Sequence, residues 1–209
     1  MKLTSSSFNE GQKIPGDFAF CIPDTAHHVC LGQNLNPSLQ WSEVPAGTQS
    51  FVVICHDPDV PSQGDDVNQE GRSVPASLPR VDFFHWVLID LPSSLHAIRQ
   101  GEFSSDVTPR GKPGPAAAHG ARHGINDYTG WFASDKDMCG DYYGYDGPCP
   151  PWNDEIRHRY VFTVFALDIS ALPVDGKLTG QHVRAAMQGH ILDQASLTGI
   201  YTLNPAVQL

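Results

Sequence analysis

The sequence predicts a mainly β protein of short strands with one or two short helices. Three observations predict it. The chain carries 19 glycines and 17 prolines in 209 residues, a density that breaks it into many turns. Three apolar, β-branched runs at 51–55, 83–91 and 160–167 have the length and composition of buried strands. Only 180–194 keeps helical spacing over several turns. A hydrophobic share of 40% is enough to build a core, and the length suits one domain spanning 1–209.

Residues 2–4 and 18–21 are short strand-like pieces separated by turn signals such as Ile14-Pro15-Gly16. Leu39 and Trp41 alternate with Gln40, so a strand starts there, and 44–47 forms a turn. The run FVVIC (51–55) leads into HDPDVP (56–61), where Pro58 and Pro61 are expected to end the ladder and leave Asp57 and Asp59 at a strand end. Residues 62–82 are polar and irregular, a length that points to covering a pocket or making a contact between two copies of the chain. In FFHWVLIDL (83–91), alternation puts His85 on one face with Phe83, Val87 and Ile89. A helical turn is expected at 95–100 and a loop over 109–130, where glycines beside His119 and His123 argue against a helical metal pair. Residues 131–139 yield no assignment. Thr179 reads as the N-cap of the helix at 180–194, and 199–203 reads as a closing strand.

The stretch YDGPCPPWNDEIRHRY (145–160) is where the chemistry gathers. Its prolines stiffen the chain, and His158 and Tyr160 lie two residues apart at the start of a strand, so they share a face. If the three strong strands are neighbours, Asp57, Asp59, His85, His158 and Tyr160 converge beside the 147–151 wall and form a pocket for a small charged group. The plainer alternative is a proline-rich loop entering an ordinary core strand. A hydrolase using Asp, His and Tyr for acid–base chemistry, with Cys149 as a thiol nucleophile, is a rival; so is a metal site of carboxylates and imidazoles. No GxSxG motif is present, so binding ranks first and no metal or cofactor is expected.

A formal net charge of −10 excludes a broad nucleic-acid or anionic-membrane surface, which needs basic patches. No apolar run approaches a membrane span, and the N-terminal residues lack the apolar region of a signal peptide. Five cysteines at spacings that match no CxxC pair read as mostly reduced thiols in a cytoplasmic protein, with Cys149 a small buried filler.

DPDVP followed by FHW, and GPCPP followed by HRY, resemble the two signature regions of the phosphatidylethanolamine-binding protein family, also known as Raf kinase inhibitor proteins. The lead-in NLNPSLQWSEVPAGTQSFVVI and the tail GHILDQASLTGIY resemble its short bacterial branch, and the likeness runs over 3–203. The resemblance implies an antiparallel β-sandwich, a large central sheet flanked by a smaller one. It also implies a pocket for phosphate, acetate or a phospholipid headgroup, lined by Asp57, Asp59, His85, Gly147, Pro148, His158 and Tyr160. A cis Val60–Pro61 bond and a protein partner such as a kinase or protease are further implications. The 62–82 segment exceeds that of compact members, and the extra C-terminal helix of animal members is missing. The repulsion between two aspartates and an anion is relieved either by protonation of His85 and His158 beside the carboxylates or by a carboxyl that keeps its proton and donates it, and anion affinity is expected to fall as pH rises through the histidine range.

Overall fold

The three apolar runs lie side by side. A computed structural model describes residues 1–208, which form strands β1 (Lys2–Thr4), β2 (Cys21–Asp24), β3 (His28–Leu31), β4 (Leu39–Ser42), β5 (Ser50–Pro61), β6 (Arg80–Pro92), β7 (Ala97–Ile98), β8 (Arg122–His123), β9 (His158–Leu167) and β10 (Ile191–Tyr201). Two short helices, α1 (Tyr128–Trp131) and α2 (Gly180–Ala186), complete the set. The central sheet runs β10-β9-β5-β6-β8, a second sheet runs β1-β4-β7, and β2 with β3 makes a separate hairpin. Every pairing within these sheets is antiparallel.

Both faces of the central sheet are covered, which explains why its strands are almost continuously apolar. Phe51, Val53, Phe162 and Val164 pack toward Leu3, Leu39 and Trp41 of the smaller sheet. Val52, Ile54, Val87 and Ile89 pack on the other side against Leu178, Val183 and Met187 around α2. Thr179 caps α2 by accepting the His182 amide at 3.3 Å.

Several expectations need correction. The helix ends at Ala186; Gly189 takes φ +84°, and the chain turns into β10, which starts eight residues before the expected closing strand. Cross-strand pairing along β9 outweighs the helical spacing of 187–194. The segment 95–100 holds β7 rather than a helical turn, because Leu39 and Gln40 offer it a strand partner. Pro58 does not end the ladder: β5 continues against β6 to Pro61↔Arg80, past the last β9 pair at His56↔Val161. Proline is tolerated there because the β9 side of the strand no longer needs its amide. The Val60–Pro61 bond is trans, in keeping with this extended course, and Gly114–Pro115 is the cis bond among the described residues.

His85 does not share a face with Val87 and Ile89. The register passes from Cys55↔Trp86 to His56↔Phe84, which leaves His85 as an extra residue in β6. This β-bulge breaks the alternation and turns His85 away from the α2 side, where Phe84, Val87 and Ile89 remain. A second bulge, between the pairs Asp57↔Phe83 and Val60↔Val81, gives β5 its own extra residue at Pro58 and Asp59.

The thiol reading is also corrected. Cys21 and Cys149 form a disulfide, while Cys30, Cys55 and Cys139 are free. The two partners are 128 residues apart in sequence, so no spacing motif announced them; β2 carries Cys21 to the proline-rich wall.

Candidate functional site

The middle strands of the central sheet present three polar side chains to one cavity of about 270 Å³: Asp57 from β5, His85 from the bulge in β6 and Tyr160 from β9. Registers Asp57↔Phe83 and His56↔Val161 set the three strands in step, so the groups are lateral neighbours. All three are buried, and the His85 and Tyr160 rings meet edge to face with centroids 5.1 Å apart. Phe83 and Tyr128 add edge or tilted contacts around the imidazole. Toward solvent the lining becomes apolar, with Phe132 and Met138 leading to Leu31 and Trp131, which are 62% and 52% exposed.

His158 stands behind Asp57 rather than in the cavity lining. Its Nδ1 donates to Asp57 Oδ2 at 2.7 Å and its Nε2 to Asp154 Oδ2 at 3.0 Å. A ring that donates from both nitrogens is an imidazolium. Burial opposes its charge, but the carboxylates of Asp57 and Asp154 prevail and raise its pKa to about 9. Asp154 in turn receives both terminal nitrogens of Arg80, at 2.5 and 3.0 Å. Burial works against the Asp154 carboxylate, but His158 and Arg80 together hold its pKa below the usual value. The buried sequence Asp57, His158, Asp154, Arg80 therefore alternates in sign.

His85 behaves differently. Its Nδ1 donates to the Asp146 carbonyl at 2.7 Å, which fixes the tautomer and leaves the Nε2 lone pair for the cavity. Burial drives its pKa down to about 4 despite the charge of Asp57 nearby. The two histidines therefore do not share one titration range, which removes the first of the two expected routes, a doubly protonated pair. The Tyr160 hydroxyl is buried and makes no hydrogen bond of normal length among the described residues, although Asp57 lies close enough to draw weakly on its proton. Burial, then the nearby Asp57 charge, keeps its proton on well beyond the ordinary phenol range.

Asp59 points elsewhere. The bulge at Pro58 and Asp59 turns its carboxylate to Arg159, which grips it through Nε at 2.8 Å and a terminal nitrogen at 2.7 Å. Gly147 and Pro148 shape the wall without offering free polar groups. A side chain at Gly147 would place Cβ 2.0 Å from the Phe18 carbonyl oxygen, so only glycine allows that approach. Its amide donates to Asn34 Oδ1 and its carbonyl accepts from Tyr128 Oη, both at 2.8 Å. The Pro148 carbonyl accepts the amides of Phe20 and Cys21, and the adjoining disulfide lies on the cavity surface. Cys149 thus has no thiol to serve as a nucleophile.

Two contributions carried little sequence signal. Asp146 positions His85 through its carbonyl, while its carboxylate accepts from Asn34, Asn126 and Lys112 at 2.7, 2.7 and 3.1 Å. Its one cue was adjacency to the GPCPP run. The 62–79 segment contributes Val67 and Asn68 to the cavity and is fixed by Asn153, whose amide nitrogen donates to the carbonyls of Asp66 and Arg72 at 2.8 and 3.1 Å.

The sequence matches the family described as phosphatidylethanolamine-binding protein over residues 4–202. The chain belongs to the phosphatidylethanolamine-binding protein family. Among its relatives is the UPF0098 protein YbhB of Escherichia coli, 32% identical over 97% of this chain and all of that one. A UPF0098 protein of Aquifex aeolicus is 31% identical over 96% of this chain and 88% of its own length. The crystal structure of Escherichia coli YbcL, described as a new member of the mammalian family, superposes with a TM-score of 0.68 at 25% identity, covering 96% of this chain and 97% of that one. A Chlamydia trachomatis homologue of the family gives 0.62 at 27% identity, over 96% and 95% of the two chains. Among the described residues no helix is long and apolar enough to cross a membrane, and no cluster of three or more His, Cys, Asp or Glu side chains could hold a metal ion.

Proposed function

We propose that this family member is a binding module whose cavity takes a small oxyanion, a phosphate or a phosphoryl headgroup, through Asp57, His85 and Tyr160. The observation that carries the reading is the Tyr160 hydroxyl, buried in the cavity without a hydrogen bond of normal length: a buried polar group left so costs about 1–3 kcal/mol and is normally explained by something that completes it. The charge of Asp57 does not forbid an anion, because the His158 imidazolium lies 2.7 Å behind it. His158 supports the site from that position and Gly147 and Pro148 by shaping the wall, while Asp59 is taken up by Arg159 away from the cavity. The disulfide takes up the Cys149 thiol that the rival hydrolase reading used as its nucleophile. The disulfide fits an oxidising compartment better than the cytoplasm that reduced thiols implied.

Titration of the protein with inorganic phosphate by calorimetry and ³¹P NMR tests the reading. Saturable one-to-one binding that weakens about tenfold in Tyr160→Phe is expected, as for a lost hydrogen bond of 1–2 kcal/mol. Absence of saturable binding at millimolar phosphate sinks it.

A further inference from the structure

We infer that the mouth of the cavity docks a peptide segment of a partner protein, one that carries an apolar anchor side chain between basic flanks. The inference concerns the outer, apolar part of the cavity and does not depend on what the polar end holds.

Exposed hydrophobic surface leads there. Five large hydrophobic side chains are exposed among the described residues, and three of them gather at one place. Leu31, at the end of β3, and Trp131, at the end of α1, line the cavity directly. Val81, 47% exposed, pairs with the lining residue Val60 across β5 and β6 and lies two residues from Phe83, so it continues the same face. Single apolar side chains scattered over a surface mean little, but a cluster drawn from three elements around one opening marks a contact site. Behind the opening lie Phe20, Phe132 and Met138, and a cavity of about 270 Å³ has room among them for a leucine or phenylalanine side chain. Asn68 stands in the same lining. Its Oδ1 accepts the Trp152 amide at 3.0 Å, while its Nδ2 makes no hydrogen bond among the described residues and is free to donate to a peptide carbonyl.

Charge selects the occupant. The surface segments that carry Val67, Asn68, Trp131 and Met138 are 62–72 and 131–141, and they hold six carboxylates against two basic side chains, Arg72 and Lys136. Arg72 is spent on Asp66 at 2.7 Å. Asp65 and Asp137, each within two residues of a lining side chain, make no ion pair among the described residues. No lysine or arginine lines the cavity, and the whole chain carries a formal charge of −10. A second copy of the chain would set one acidic rim against another, and an anionic lipid surface would be repelled. A basic segment answers both features: its apolar side chain leaves water among the rings, and its lysines or arginines meet the rim carboxylates.

The test is calorimetry of the full chain with three blocked hexapeptides, KKFLKK, EEFLEE and KKGSKK. KKFLKK is expected to bind one-to-one, at least about tenfold tighter than either control, and to weaken several-fold in high salt. It should also shift the Trp131 emission to shorter wavelength. Trp131→Ala and Leu31→Ser, both at exposed positions, should each weaken KKFLKK by at least about fivefold. Asp65→Lys combined with Asp137→Lys should move the preference toward EEFLEE. Binding of KKGSKK within about threefold of KKFLKK overturns the apolar anchor, and EEFLEE binding as tightly as KKFLKK overturns the basic flanks. Absence of saturable KKFLKK binding at millimolar peptide overturns the inference as a whole. Sedimentation of the free protein covers the remaining occupant: a monomer is expected, and a dimer that Trp131→Ala dissolves overturns the inference in favour of a second copy.

Discussion

The His158 imidazolium makes a pH-dependent contribution to stability that can be isolated. Its ring is 1% exposed, so solvent screening is slight. In the unfolded chain the group titrates near 6.5, and in the folded protein at about 9. Below pH 6.5 both states hold the proton and the contribution is complete. Between 6.5 and 9 the unfolded chain releases its proton while the folded one keeps it, so stability falls with rising pH by about 1.4 kcal/mol per pH unit, roughly 3 kcal/mol in all. His85 and His123 act in the opposite sense: burial holds each at about 4, so they destabilise the fold as pH drops from 6.5 toward 4. These three groups together place maximum stability near pH 6.5. Urea unfolding of the wild type and His158→Gln at pH 6.5 and 9, with the disulfide intact, is the assay. The wild type should lose about 3 kcal/mol more than the variant over that interval. Equal losses refute the buried imidazolium, and so does an NMR titration in which the His158 ring deprotonates between pH 5.5 and 8.

Arg80→Met should cost about 3 kcal/mol, because it leaves the Asp154 carboxylate, itself 1% exposed, with His158 as its one charged partner; adding Asp154→Asn should recover part of that loss in urea unfolding. Tyr160→Phe should leave the ligand-free protein equally stable or about 1 kcal/mol more stable by thermal melting, since it removes a hydroxyl without a partner; a loss above 2 kcal/mol would mean the hydroxyl is satisfied within the fold. Reducing Cys21–Cys149 should lower the urea midpoint by the equivalent of about 2–5 kcal/mol, given the long loop it closes, and Cys21→Ser should show the same midpoint with or without reductant.

Composition and patterning made the β architecture legible, since FVVIC, FFHWVLIDL and YVFTVFAL became the three adjacent central strands. Asp57, His85 and Tyr160 could be found because each sits inside or at the end of such a run. What escaped detection depended on single residues that leave no period. The bulges that turn His85 in and Asp59 out each add one residue to one strand, which alternation cannot anticipate. The disulfide joins segments 128 residues apart, and Asp146, Asn34 and Asn126 meet from three irregular segments. The helix was overextended because Met187, Ile191 and Gln194 keep helical spacing by chance, while β9 gives 191–201 a better partner.

The extra residue in β6 has an engineering consequence. It acts as a register pin: were the strand, with all its residues kept, drawn into strict alternation from Val87 toward its N-terminal end, every side chain beyond Trp86 would change face. The imidazole would then swing into the dry layer beneath the second helix, and the Phe84 ring would take its place in the cavity. Grafting this cavity onto another β-scaffold therefore requires the irregularity as well as the side chains: on perfectly regular strands the histidine would turn its back on the aspartate and the tyrosine.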